Sequence, residues 1–514
     1  MSEDPNKPSH ARVLIRNVLS NWAGLVLNMA AAFFMSPFLV RNLGDVNYGL
    51  WVLIKSTTGY MGLLDGGVRM AVVKFVARAN ANGDKSISRI VSTAHFLYYS
   101  VACLVLVATI GFAWAFPHIF KIESTHVDVA RIVVLIAGVS LAVSFTSAVS
   151  GGILTGMQRF DISNQIGIAT LIVRTIVIVV MILMGYGLVA LALTHFAMQV
   201  LAWAAINWYA RKIRPDIEVR LRDANKESAK ELYGYGSANV ISGFGDLLLF
   251  RTGELLAAMF IGPAAVTYYA IAGTLLEYLQ KLVITMAQTL HPFSSARQAA
   301  GDEKALQTVA LIGSKMCFLI ALPAMAGMII FGHEFIAAWM GPKYADVAAP
   351  LLIAMCVGRL FWIGQTSNGQ ILLGAGRHKQ AMWFNVATGI FSFLGGMIAV
   401  QKWGLLGMAI GAAVPIVIIH GFITPIYTLR TLHIPLKRYV TEAVLRPVAA
   451  FIPFTLVLLA AEHYWQPQSL WAIFFVAVGA SPVLALGAYF LAFNREERAR
   501  YVHRFIPGLK SRPA

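Results

Sequence analysis

Long apolar runs recur along the whole chain and are separated by short polar segments. Each run is about as long as the helix of some twenty residues that crosses a bilayer. Fourteen runs are predicted, at 18–42, 49–76, 90–116, 129–153, 163–183, 186–210, 235–259, 266–290, 308–331, 346–374, 382–400, 404–429, 443–461 and 469–492. Helix is expected because backbone polar groups in hydrocarbon must be satisfied within the segment. The pattern predicts an all-α, polytopic membrane protein with about fourteen transmembrane helices.

The two halves of the chain match each other at a nearly constant offset. Gly44 falls on Gly262, Gly83-Asp84 on Gly301-Asp302, "ILTGMQR" (153–159) on "ILLGAGR" (371–377) and, after one residue of slip, "GLVALAL" (187–193) on "GLLGMAI" (404–410). The repeat unit has six spans, an even number, so both copies cross the membrane in the same sense. We therefore predict an N-lobe with its linker at 1–230, a C-lobe at 231–440, and two extra spans with a basic tail at 441–514.

The distribution of charge gives the expected orientation. The chain is 58% hydrophobic and 13% charged, about half the charge of a soluble domain. Its net charge of +17 does not indicate nucleic acid, because most Lys and Arg lie on the side that holds both termini, notably at 211–230, 430–446 and 495–512. Positive residues stay cytoplasmic, so both termini are predicted inside. Contact of the basic tail with anionic membrane lipids is a secondary alternative.

Ten ionisable residues lie deep within the predicted spans. On lipid-facing surfaces each would cost about 2.5–3.5 kcal/mol, so they are expected to line a wet cavity or to pair. Asp65–Arg69 and Glu277–Lys281 are acid-first pairs one helical turn apart. One interpretation is that these pairs, and Arg251–Glu254, only hold helices in register.

Cations nevertheless outnumber acids in this set, which favours an anionic substrate such as a phosphate. The candidate substrate-binding residues are Lys55, Arg69, Arg251 and Lys281, followed by Arg174 and Arg359. The candidate ion-coupling residues are Asp65, Asp246, Glu254 and Glu277. No nucleotide-binding Walker motif is present, so coupling to H⁺ or Na⁺, or to the substrate gradient, is expected. No metal site or cofactor is predicted.

The stretch "LVRNLGDVNYGLWVLIKSTTGYMGLLDGGVRMAVVKFVAR" (39–78) resembles the start of polysaccharide transporters of the O-antigen flippase type. These belong to the multidrug/oligosaccharidyl-lipid/polysaccharide exporter (MOP) superfamily. The matching motifs are Leu43-Gly44, Tyr48-Gly49, Leu63-Leu64-Asp65-Gly66-Gly67 and "WGLLGMAIG" (403–411). The resemblance covers essentially the whole chain.

This resemblance implies two six-helix lobes that move an undecaprenyl-pyrophosphate-linked oligosaccharide across the bacterial inner membrane by alternating access. Surface or exopolysaccharide synthesis is the implied process, and a polysaccharide polymerase and assembly proteins are implied partners. Related lipid II flippases share the architecture but have prominent arginines in their first spans. The first span here has Asn17, Asn21 and Asn28 instead, which argues against lipid II.

The alternative functions are a multidrug exporter and a membrane-bound enzyme. A multidrug exporter of the same superfamily usually has twelve spans and exports lipophilic cations, which a cationic lumen would repel. A membrane glycosyltransferase, polymerase or ligase needs a site outside the membrane. The longest predicted outer loop, Phe116–Asp128, is short and offers only His118, Glu123, His126 and Asp128. An enzyme is therefore not expected.

Overall fold

The computed structural model describes residues 10–82 and 87–499, apart from the side chains of 10–20, 81–82, 235–239, 242 and 378. Within these ranges the chain is helical and contains no strand, which confirms the all-α prediction. The repeat match at Gly83-Asp84, the side chain of Asn17 and the tail beyond residue 499 lie outside the described part.

The chain forms two compact units. The first comprises residues 1–247 and 258–267, and the second comprises 248–257 and 268–514. The first seven helices are α1 His10–Met61, α2 Val68–Asn82, α3 Ile87–Ile119, α4 Val127–Gly156, α5 Phe160–Leu183, α6 Leu188–Ile213 and α7 Lys226–Phe260. Short 3₁₀ turns occur at Gly62–Asp65, Ser124–His126 and Leu221–Asp223.

Twelve further helices follow, several of them short. They are α8 Pro263–Gln288, α9 Leu290–Ala299, α10 Glu303–Ile330, α11 Gly332–Trp339, α12 Pro342–Gly364, α13 Thr366–Gly374, α14 His378–Ile418, α15 Thr424–Thr431, α16 Leu436–Tyr439, α17 Arg446–Trp465, α18 Leu470–Gly487 and α19 Arg495–Glu497. Single π-helical turns occupy Ile419–Ile423, Val440–Leu445 and Ala488–Ala492.

Eleven helical segments in the described part are long and apolar enough to cross a membrane, so the chain is a multi-pass membrane protein. Two of these segments, Asn21–Asp65 and Lys379–Thr431, have 45 and 53 residues. Their backbones depart from helical geometry at Gly44 and at Trp403–Gly404. These breaks fall where spans 1 and 2, and spans 11 and 12, were predicted to separate. The count of fourteen crossings stays a prediction.

Each unit has its own apolar core. In the first unit, α2, α3 and α4 bury Val72, Val91, Val149 and Leu154 together. In the second, Phe331 packs with Phe454 and Leu458 of α17 and with Ile473 of α18. The last two long helices are therefore built into the core of the second unit.

Large apolar side chains also cover the outside of the long helices. Trp114 on α3, Leu183 on α5 and Phe475 on α18 are each more than half exposed. A soluble monomer rarely exposes so many apolar side chains, whereas a lipid-facing helix does so at no cost.

Capping side chains fix where two helices of the second unit, α10 and α19, begin. Asp302 accepts a hydrogen bond from the backbone N–H of Ala305 at 3.0 Å, which satisfies a free donor in the first turn of α10. Asn494 and Glu497 form a reciprocal capping box that starts α19, with N–O distances of 2.8 and 2.9 Å. The box also fixes the position of the Glu497 carboxylate.

Candidate functional site

The motif "LLDGG" interrupts the second predicted span. Residues Gly62–Asp65 form a 3₁₀ turn, and Gly66 and Gly67 follow with φ of 61° and 71°. This left-handed conformation is strained for any residue with a Cβ. The prediction that Asp65 and Arg69 pair along one helix is therefore wrong. Asp65 instead accepts a hydrogen bond from the Tyr98 hydroxyl of α3, and Arg69 lies exposed near the start of α2.

Two of the predicted cations come together in the first unit. The Lys55 ammonium lies 5.6 Å from the centroid of the Trp51 ring. That ring meets the His195 imidazole edge-on, with centroids 5.8 Å apart. The Arg174 guanidinium reaches His195 Nε2 at 3.5 Å, the long end of the hydrogen-bond range. Helices α1, α5 and α6 thus present a positively charged cluster with aromatic sides, which we call the Lys55–Arg174 cluster.

Three further residues of the first unit were singled out in the sequence, namely Asp246, Asn21 and Asn28. Asp246 belongs to the part of α7 that packs within this unit. Asn21 of the first span accepts a hydrogen bond from Asn164 of α5 at 2.7 Å. The Asn28 side chain donates to the Gly24 carbonyl of its own helix at 2.8 Å. Asn21 and Asn28 thus make neutral hydrogen bonds.

In the second unit, α7 and α8 bring four predicted residues into one network. Arg251 Nη1 lies 3.1 Å from Glu277 and 3.7 Å from Glu254. Lys281 Nζ lies 3.8 Å from the other oxygen of Glu277. The predicted pairs Glu277–Lys281 and Arg251–Glu254 are confirmed as contacts. The Arg251–Glu277 bridge joins the two helices into a single charged cluster, which we call the Glu277 network.

Arg359 of α12 stands beside this network and is held by neutral groups. Its Nη1 donates a 2.6 Å hydrogen bond to Gln280, and its guanidinium lies 4.2 Å from the centroid of the Phe250 ring. No ion pair with a carboxylate within the described residues involves Arg359 or Arg174. Each unit therefore contains a predicted arginine that forms no ion pair with a described carboxylate.

Glu254 is the most enclosed acid of the network, with a side chain only 7% exposed. Its Oε2 accepts no hydrogen bond from the described residues. The preceding residue has to be glycine, because a Cβ at Gly253 would fall on the Tyr269 ring. A buried carboxylate oxygen without a donor is costly unless it binds a cation or a proton. Its geometry therefore suits the ion-coupling role expected of Glu254.

Several residues of these clusters were not among the sequence candidates. No motif distinguishes the polar and aromatic residues that orient the predicted cations. These are His195, which contacts Arg174, and Gln280 and Phe250, which contact Arg359. Lys315 of α10 was also not predicted from the sequence. In the structure its side chain is fully buried. It donates to both carboxylate oxygens of Glu497, at 2.6 and 2.7 Å, across 182 residues of sequence. A lysine within a predicted span was a signal that could have been used.

Comparison with known proteins identifies the family. The family model described as "Polysaccharide biosynthesis protein" matches residues 38–349, more than half of the chain. The chain belongs to this family. It is 23% identical to the uncharacterised membrane protein EpsK of Bacillus subtilis, over 95% of this chain and 97% of EpsK. The family predicted from the sequence is confirmed.

The names of two further relatives describe transport. A candidate O-antigen transporter of Shigella flexneri is 20% identical over 79% of this chain and 95% of its own length. Agl15 of Haloferax volcanii, assigned as a flippase of low-salt glycan biosynthesis, is 20% identical over 78% of this chain and 80% of its own length.

Solved structures share the fold at lower identity. The lipid II flippase MurJ, in an inward closed conformation, superposes with a TM-score of 0.71 at 13% identity, over 96% of this chain and all of MurJ. An inward-facing multidrug resistance MATE transporter of the MOP superfamily gives 0.69 at 14% identity, over 80% of this chain and 94% of that transporter. At such identities the likeness establishes the fold alone.

Proposed function

We propose that this protein is a flippase for undecaprenyl-pyrophosphate-linked oligosaccharide, acting by alternating access in surface or exopolysaccharide synthesis. Its family and the names of its relatives support this class of substrate. The observation that carries the proposal is Arg359, an arginine of the second unit whose guanidinium is oriented by Gln280 and Phe250 and forms no ion pair with a carboxylate of the described residues. Such a group is suited to a phosphate oxygen, which arginine binds through two parallel N–H donors.

The two charged clusters have different parts in this proposal. In the second unit, Arg359, Arg251 and Lys281 would bind the diphosphate. In the first unit, the cations Arg174 and Lys55 would bind an anionic group of the substrate, with the Trp51 ring close to Lys55. Arg69, exposed and outside both clusters, is a weaker candidate than its sequence position indicated. The protein would carry substrate without altering its covalent bonds, and so would not be an enzyme.

The cellular setting is part of the same proposal. The positive-inside distribution supports cytoplasmic termini, and the substrate class supports the inner membrane of a bacterium. A polysaccharide polymerase and assembly proteins would act on the transported product. The cycle would draw on H⁺, Na⁺ or the substrate gradient, with Glu254 as the best-placed coupling carboxylate and Asp65, Asp246 and Glu277 as the others.

The proposal is tested by reconstitution of the purified protein into liposomes with a fluorescent polyprenyl-diphosphate oligosaccharide. A membrane-impermeant quencher then reports how much substrate has changed leaflet. We expect rapid exchange with the wild type and at least a tenfold slower rate with Arg359→Gln, since one charged hydrogen-bonding group is worth about 1.5–3 kcal/mol.

Arg438→Gln is the matched control, because Arg438 is also an arginine of the second unit but lies in α16 and pairs with Glu442 of the π-helical turn that follows. It should exchange substrate at the wild-type rate. Lack of exchange by the wild type, or equal rates for Arg359→Gln and the wild type, would contradict the proposal. The same liposomes loaded with lipid II, or with a lipophilic drug cation, test the two other transport functions.

A further inference from the structure

We propose that Glu277 is a resident counter-ion of the head-group site: it binds Arg251 and Lys281 while the site is empty, and the diphosphate of the substrate displaces it. This inference rests on the proposed function and assigns Glu277 a task beyond holding two helices together. Glu277 would act as an internal competitor of the substrate.

The geometry gives Glu277 both of the cations that a phosphate would need. One carboxylate oxygen faces Arg251 at 3.1 Å, and the other faces Lys281 at 3.8 Å. Each carboxylate oxygen thus contacts one cation, and the two cations come from different helices. Two oxygens of one phosphate group could make the same contacts. An anion that binds Arg251 Nη1 and Lys281 Nζ together would compete with this carboxylate.

The contacts are loose enough to be exchanged. The Lys281 side chain is 51% exposed, that of Arg251 is 38% exposed, and that of Glu277 is 28% exposed. Ion pairs with this much exposure are individually weak. Lys315–Glu497 shows the contrast: its lysine is fully buried and its contacts are 2.6 and 2.7 Å. The Glu277 network is therefore the kind of pairing that an incoming anion displaces.

Arg359 explains why a diphosphate would succeed where a single carboxylate-like anion gains little. A small anion that replaces Glu277 only substitutes its own contacts with Arg251 and Lys281 for those of the carboxylate, so it gains little binding free energy. A diphosphate also reaches the Arg359 guanidinium, which interacts electrostatically with Glu277 and Arg251 but forms no ion pair with a described carboxylate. Once the substrate has left, Glu277 neutralises the cations again, so that the empty site does not retain unpaired charge.

The experiment measures binding of farnesyl diphosphate, a soluble short-chain polyprenyl diphosphate, to the purified full-length protein in detergent by titration calorimetry. Glu277→Gln keeps the size of the side chain and removes its charge. Because the competitor is gone, we expect the dissociation constant to fall about tenfold. Glu277→Asp keeps the charge and should stay close to the wild type. Glu462→Gln, an exposed acid at the end of α17, should not change the constant.

A second variant keeps the test decisive if Glu277→Gln is poorly folded. Glu277→Ala removes the carboxylate, and added sodium acetate supplies a free one. Acetate should weaken farnesyl diphosphate binding to Glu277→Ala more than to the wild type, with sodium chloride as the ionic-strength control. An unchanged or raised dissociation constant in Glu277→Gln, or equal effects of acetate on both proteins, would overturn the inference alone. If the wild type does not bind farnesyl diphosphate, the head-group site of the proposed function fails as well.

Discussion

Arg359 and Lys281 are both cations of the second unit, but their surroundings hold them differently. Arg359 is stacked on Phe250 and hydrogen-bonded to Gln280, whereas the ammonium of Lys281 forms a single ion pair within the described residues, at 3.8 Å. Lysine lacks the planar fork and the ring stacking of arginine. We therefore expect Arg359→Lys to weaken farnesyl diphosphate binding roughly tenfold, and Lys281→Arg to change it by less than about threefold. Equal losses in the two variants, measured by calorimetry, would argue against an oriented guanidinium.

The Lys315–Glu497 pair predicts a non-additive effect on stability. Removal of one partner from a buried ion pair leaves an uncompensated charge and costs about 3–5 kcal/mol, whereas replacement of both is often nearly neutral. Lys315→Met alone should therefore lower the thermal unfolding midpoint strongly. The double variant Lys315→Met with Glu497→Gln should recover most of the loss, as measured in one detergent at one scan rate. Additive losses would indicate that the two side chains do not interact.

At the residue scale, the sequence was sufficient only where helix geometry fixes the contact. Glu277–Lys281 and Arg251–Glu254 could be predicted because residues three or four apart share a helical face. The Arg251–Glu277 contact depends on how α7 and α8 pack, and the Glu497 contact on a chain segment 182 residues from Lys315. Neither follows from local spacing. For the same reason the partners of Arg359 and Arg174 could not be foreseen.

At the scale of elements, the break at Gly66-Gly67 makes a specific prediction. An alanine at Gly66 would adopt a left-handed conformation, which costs about 1–2 kcal/mol, and its Cβ would lie 2.8 Å from the Tyr233 ring. Gly66→Ala should therefore lower the thermal unfolding midpoint.

Gly62→Ala is the matched control for this prediction, because no other atom lies within 4 Å of the position of its Cβ. It should leave the midpoint unchanged or raise it slightly, since alanine has a smaller conformational entropy loss than glycine. If Gly66→Ala is as stable as Gly62→Ala, the left-handed turn is not required for the fold.

The elements themselves were largely predictable, because long apolar runs in a membrane protein must be helical. The interruption inside the second predicted span was not predicted. The double glycine in "LLDGG" was a turn signal, but the surrounding apolar pattern favoured an unbroken span and gave the wrong partner for Asp65. The breaks at Gly44 and Gly404, by contrast, lie where separate spans were predicted.

At the scale of the whole molecule, we propose that the protein moves a lipid-linked glycan from one leaflet to the other. The family and the all-α membrane architecture were predictable from apolar spacing and motifs spread along the chain. The glycan could not be predicted, because sugar hydroxyls are recognised by scattered polar groups without a fixed spacing.

The most direct test is the leaflet distribution of the radiolabelled lipid-linked glycan in cells that lack the gene. Spheroplasts of the deletion strain are probed for the intermediate on each face, with complementation by the wild type, Arg359→Gln or Arg438→Gln at matched protein levels. We predict accumulation on the cytoplasmic face of the deletion strain, reversed by the wild type and by Arg438→Gln but not by Arg359→Gln. A normal distribution in the deletion strain would contradict the account.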